Sequence, residues 1–137
     1  MTPTVLPITL TIAAAAAVLH IWLAARVSQL RNRHKVSIGD GGNEALIRRM
    51  RAHANYGENM PIVLILLALI ELAGGDPRIL WGAAILFVIA RILHAFGMDR
   101  PHPSRLRAFG MMGSALALVI LAGYAVFILY RHPPVIG

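Results

Sequence analysis

Cysteine is absent from the chain. That excludes a disulfide framework, a thiolate metal site and a cysteine nucleophile. Any thiol chemistry must therefore use a thiol that a bound substrate carries. Charge is scarce as well. Of the 137 residues 14% are charged, where a soluble domain has roughly a quarter. Acids are the scarcest, six against thirteen Lys and Arg, and the first apolar run contains none. A small proton-driven exporter of cationic drugs needs an acid deep inside a helix, so that class is disfavoured. No basic segment precedes the first apolar run. The run is therefore expected to be an uncleaved transmembrane helix and not a signal peptide.

Apolar surface is what the chain has in quantity. Hydrophobic residues make up 58% of it, and mean hydropathy is +0.68. Four runs approach the roughly 20 apolar residues that cross a bilayer. The expected fold is all-α: one integral membrane four-helix bundle over residues 1–137, with helices at about 4–29, 43–73, 77–98 and 104–130. Asn43 and Ser104 are good N-cap types, and Gly74-Gly75 stops helix two. Pro61 cannot donate to the carbonyl of Gly57, so a kink or a loosened turn is expected there. Residues 13–17 are all Ala, and Gly110, Gly113 and Ser114 make a second run of small side chains. In lipid such faces let helix backbones approach closely.

The positive charge is unevenly placed. Seven Arg and Lys flank the first loop and Arg100, Arg105 and Arg107 flank the third, whereas Arg78 is the basic residue of the second. Basic loops stay in the cytoplasm, so loops one and three are expected there and both termini on the other side. Contact with membrane lipid accounts for Arg31, Arg33 and Lys35. Because the charge hugs the membrane and no recognition motif is present, no nucleic-acid partner is expected.

The most informative segment is Arg51-Ala52-His53-Ala54-Asn55-Tyr56-Gly57-Glu58-Asn59-Met60-Pro61. At about 100° per residue, Arg51, Asn55 and Glu58 fall on one helical stripe that runs into an apolar segment. Ionisable groups at such a border are costly to desolvate and usually have a partner or a ligand. An internal Arg51–Glu58 ion pair is the plainer reading. The same side of the membrane also collects Arg26, Arg91, His94 and Arg107. This set is mostly cationic, with one carboxylate and one amide. It suits a small ligand with carboxylates and one amine, since arginine grips a carboxylate in a bidentate fork. Glutathione has that charge pattern, and it carries a thiol.

With this stripe in its second helix, the chain resembles the MAPEG family, the membrane-associated proteins in eicosanoid and glutathione metabolism. Arg51, Asn55, Glu58 and Pro61 match the helix-two signature of that family. The stretches around Ser37-Ile38-Gly39-Asp40-Gly41-Gly42-Asn43 and Arg91-Ile92-Leu93-His94-Ala95-Phe96-Gly97 resemble its short bacterial branch. The resemblance implies a homotrimer in a bacterial inner membrane, with glutathione as cosubstrate bound between subunits near the cytoplasmic face. It implies that Arg51 grips a carboxylate, Asn55 hydrogen-bonds the peptide and Glu58 takes the ammonium. Arg91 and His94 match a helix-three pair of the prostaglandin E synthase branch, and Arg26 a helix-one arginine. Arg107, or in its place Arg105, matches the arginine that stabilises the thiolate.

The implied activity is a glutathione transferase or peroxidase acting on a lipophilic electrophile or peroxide, and it needs no metal. The chain departs from some relatives at Met98, where they carry an aromatic hydroxyl, and at Ala54, where they carry a second arginine. A non-catalytic membrane scaffold of the same fold, or a small oligomeric transporter, are the competing readings.

Overall fold

The structure, a computed structural model, describes residues 5–101 and 103–131; Thr4, where the first helix was expected to begin, lies outside them. Four helices make up the architecture: α1 (Pro7–His34), α2 (Glu44–Leu72), α3 (Pro77–Met98) and α4 (Arg105–Arg131). There is no strand among the described residues. All four helices are long and apolar enough to cross a membrane. The protein is an all-α integral membrane four-helix bundle.

Local chemistry sets the helix ends. Pro7 opens α1, where its missing N–H would have had no helical partner. The next donors are met from a distance: the Glu71 carboxylate, at the far end of α2, accepts from the backbone N–H of Ile8 and of Thr9, both at 2.8 Å, and from the Thr9 hydroxyl at 2.7 Å. Asn43 caps α2 by accepting from Leu46 N at 2.9 Å. Asp76 caps α3 by accepting from Arg78 N at 2.8 Å. α2 runs unbroken through Pro61, which sits on an exposed face.

The end of α1 departs from expectation. The helix continues to His34, past the expected stop at position 29, and takes in residues 31–34, where the sequence predicts loop. Two forces extend it. Val27 and Leu30 bury against Leu46 of α2, and Arg31, Arg33 and His34 place positive charge on the carbonyl end of the helix. It stops at Lys35, whose φ of 54° is left-handed.

The core forms where matching three- and four-residue spacings meet. Ile8, Ile12, Ala16, Leu19 and Leu23 of α1 face Tyr56, Met60, Val63, Leu67 and Ile70 of α2. Leu80, Ala83, Ala84 and Phe87 of α3 and Ala117 and Leu121 of α4 complete it. Tyr56 is a core residue; its hydroxyl donates to the Ala16 carbonyl at 2.6 Å. α1 touches α2 and α3 but not α4 among the described residues. The central pair is therefore α2 and α3, with α1 and α4 at opposite edges.

α4 packs on α3 through small residues. A Cβ at Gly110 would lie 2.6 Å from His94 Cβ and N and 2.7 Å from the Ala90 carbonyl oxygen. One at Gly113 would lie 3.0 Å from Ala90 Cβ, and one at Gly97 would run into the backbone of Arg107. The expected close face at Gly110, Gly113 and Ser114 is thus the α3–α4 seam, and Gly97 extends it to the first turn of α4. Gly110→Ala is expected to cost about 1–3 kcal/mol by overpacking against backbone. Gly123→Ala, whose Cβ meets nothing within 4 Å, should leave stability unchanged. Thermal unfolding in detergent, followed by helical ellipticity, checks both.

Candidate functional site

On α2 the residues Arg51, Asn55 and Glu58 turn away from the Tyr56–Met60–Val63 core face. Arg51 and Glu58 are exposed and Asn55 is half-buried. The last turns of α3 and the first turns of α4 lie beside them. Together they enclose a cleft of about 260 Å³, lined by Arg51, Ala54, Asn55 and Glu58 of α2, His94 and Met98 of α3, and Arg107 and Met111 of α4. The cleft sits at the end of the bundle that carries the connections at 35–43 and 99–104. Two recesses adjoin it. One shares Arg51 and Ala54 and extends to Asp40, Ile47 and Met50. The other shares Arg107 and Met111 and extends to Pro103, Ser104 and Ala108.

The walls carry two guanidinium groups, one carboxylate, one amide and one imidazole, with thioethers at Met98 and Met111. The plainer sequence reading, an internal Arg51–Glu58 ion pair, is not what forms. Neither residue is in an ion pair among the described residues. Both charges face the open side of the cleft.

Asn55 is held from behind. Arg91 of α3 is 2% exposed. Its guanidinium donates to Asn55 Oδ1 and, at 3.2 Å, to the Gly110 carbonyl of α4. A guanidinium only donates, so the Asn55 atom facing it must be oxygen, and that decides the amide orientation. The Nδ2 amide, with no partner among the described residues, remains as a donor for the cleft. Arg91 Nε is buried without a partner among the described residues, and the guanidinium lies 5.7 Å from the centre of the Phe87 ring. Arg91 therefore stands behind the wall and not in it, while His94, one turn later on α3, reaches the cleft.

Of the other residues singled out in sequence, Arg107 lines the cleft and Arg105 is exposed outside it. Arg26 lies outside the cleft, against a different face of α3. It is 7% exposed, pairs with Asp99, donates to the Ala95 carbonyl at 3.4 Å and stacks over Trp22, 4.7 Å from its ring centre. The structure thus brings together Arg51, Asn55, Glu58, His94 and Arg107, places Arg91 one layer back, and separates Arg26 from them.

Sequence reasoning did not single out Met111 or Asp99. Met111 follows Arg107 by one helical turn, which is the signal that would have found it. Asp99 is an acid among arginines, and a buried arginine at position 26 calls for a counter-ion. His20 also finds a neighbour, its Nδ1 3.3 Å from His53 Nε2 on α2, outside the cleft.

Comparison with known proteins agrees in extent with the four helices. The model of the MAPEG family matches residues 9–127. The chain is 32% identical over 98 residues to inner membrane protein YecN of Escherichia coli (strain K12), covering 70% of this chain and 74% of that protein. The protein of the same name from Escherichia coli O6:H1 (strain CFT073) gives the same figures.

The two layers of the site should separate by stability. Asn55→Ala removes an acceptor from the buried Arg91 guanidinium and is expected to cost about 1.5–3 kcal/mol. Arg51→Ala and Glu58→Ala truncate exposed side chains and are expected to leave the unfolding temperature unchanged. Thermal unfolding of the three variants in one detergent checks this.

Proposed function

The chain belongs to the MAPEG family, and from that premise we propose that its cleft binds glutathione and holds the thiol ionised for reaction with a lipophilic electrophile or peroxide. The observation that carries this reading is the meeting of Arg51, Asn55 and Glu58 with His94 and Arg107 in one cleft, from three helices. Each group suits one part of the tripeptide. Arg51 takes a carboxylate in a bidentate fork. The Asn55 Nδ2 donates to a peptide or carboxylate oxygen. Glu58 takes the α-ammonium. Arg107 lies nearest the apolar recess at Ala108 and Met111, and there it meets the sulfur.

The chemistry follows from charge. A free thiol has a pKa of about 8.5 and is mostly protonated at neutral pH. A guanidinium in a site of low dielectric favours the anion, and each pKa unit of lowering corresponds to about 1.4 kcal/mol. A drop of about one to two units makes thiolate a large fraction of the bound ligand. The thiolate then forms a bond to an electrophilic carbon and displaces a leaving group, or attacks a peroxide oxygen, forming an S–O bond as the O–O bond breaks and the alkoxide leaves to be protonated. In the peroxide case a second glutathione then displaces water from the sulfenic acid to give the disulfide. The acceptor reaches the sulfur from the lipid, past Met111.

A homotrimer is part of this proposal. The polar stripe of α2 continues as Ile62, Ile65, Leu69 and Leu72, all more than half exposed. A cleft of about 260 Å³ is below the roughly 300–1,000 Å³ of sites that enclose small ligands. A second copy packed along α2 would cover the apolar stripe and close the open side of the cleft. The basic connections that lead into α2 and into α4 favour placing the site at the cytoplasmic face of the inner membrane, with both termini on the far side.

Titration of the purified protein with glutathione tests the reading. Saturable binding is expected in the wild type, weakened about tenfold or more in Arg51→Ala and in Glu58→Ala through loss of charged hydrogen bonds. A thiolate ultraviolet difference band is expected at neutral pH, and Arg107→Ala should move its midpoint back towards about 8.5. Absence of binding in the wild type would instead favour a non-catalytic scaffold.

A further inference from the structure

We propose that Asp99 is a positioning residue for this site: its carboxylate, clamped between Arg26 of α1 and Arg49 of α2, sets the distance across the cleft between Arg51 and Arg107. The inference rests on the proposed glutathione site for its meaning, but its geometry is independent of any ligand. Asp99 accepts from Arg26 through one carboxylate oxygen and from Arg49 Nε at 3.2 Å through the other. Arg49 also donates to the Arg26 carbonyl at 2.9 Å. Arg48 adds a bond to the Arg100 carbonyl at 3.4 Å. A single carboxylate thus ties α1 and the end of α3 to the first turns of α2.

What the clamp positions follows from its neighbours in sequence. Arg49 precedes Arg51 by two residues on the same rigid helix. On the other side, Asp99 immediately follows Met98, a wall of the cleft, and follows Gly97 by two. Gly97 has no side chain because the Arg107 backbone occupies that space. The end of α3 and the start of α4 therefore move as one piece, and Arg107 rides on it. The Arg49–Asp99 bond joins α2 to the end of α3, the elements that carry the two halves of the cleft, outside the cleft itself. Arg26 serves the carboxylate here and not a ligand: it is buried, stacked on Trp22 and Phe96, and bonded to Ala95.

Asp99 touches neither the cleft nor its contents, so its effect must pass through geometry. Asp99→Asn keeps the size and removes the charge that holds two arginines; Asp99→Glu keeps the charge. Because the chain has no cysteine, a nitroxide pair can be placed at Ile47→Cys on α2 and Ala108→Cys on α4, diluted with unlabelled chain. The inter-label distance should lengthen and broaden in Asp99→Asn and recover in Asp99→Glu. In parallel, Asp99→Asn should weaken glutathione about tenfold and raise the pKa of the bound thiol, as Arg107 no longer sits against it. Unchanged distance distributions would overturn the proposal, as would a lower unfolding temperature with the bound-thiol pKa unmoved, which is what a merely structural role produces. If the wild type binds no glutathione, the functional reading falls, and the label distances alone decide the clamp.

Discussion

The Arg91 guanidinium is the interaction on which the site depends. It is carried by α3, is buried, and donates to Asn55 of α2 and Gly110 of α4. Removing a partner from a buried cation is strongly destabilising. The three helices that wall the cleft are therefore held to one another at the depth of Asn55. The glycine seam makes this reachable: without a Cβ at 110, α4 comes close enough for its carbonyl to meet the guanidinium.

Around that brace the charged residues divide into two kinds. Arg26, Arg49 and Arg91 are taken up by Asp99, by carbonyls and by Asn55, and they hold helices in place. Arg51 and Glu58 are exposed at the open side of the cleft and contribute to no ion pair within the chain's described residues. Desolvation explains the division. A charge buried in the bundle must be satisfied by the bundle, whereas a charge at the membrane border can wait for a ligand or a second copy. The far end of the molecule shows the same economy of acids: Glu71 is used to cap α1, and Tyr124 accepts from the Asp76 backbone N–H at 2.6 Å.

Much of this was legible in the chain. Four spans follow from hydropathy, because only as a helix can one apolar segment satisfy its own backbone inside lipid. The stripe Arg51–Asn55–Glu58 follows from the helical period, and the α3–α4 seam from the small residues at 110, 113 and 114. Three arginines could not be told apart. Arg26, Arg91 and Arg107 look alike in sequence, each an arginine near the same boundary, yet one pairs with Asp99, one stands behind Asn55 and one lines the cleft. The end of α1 lies later than the sequence predicts for a related reason. Arg31, Arg33 and His34 read as a polar loop, but charge at a helix C-terminus is as compatible with helix as with loop.

The sequence by itself determined what is periodic and what is compositional: an all-α membrane protein, its polar stripe, and the need for any thiol to come from outside. These depend on backbone geometry and on transfer from water to lipid, which act on each segment separately. Only the tertiary structure decided which arginine faces the cleft, which braces it and which answers Asp99. That choice depends on the rotation of each helix about its axis and on how closely neighbours approach, and in a bundle apolar on nearly every face, one helix alone carries no mark of either.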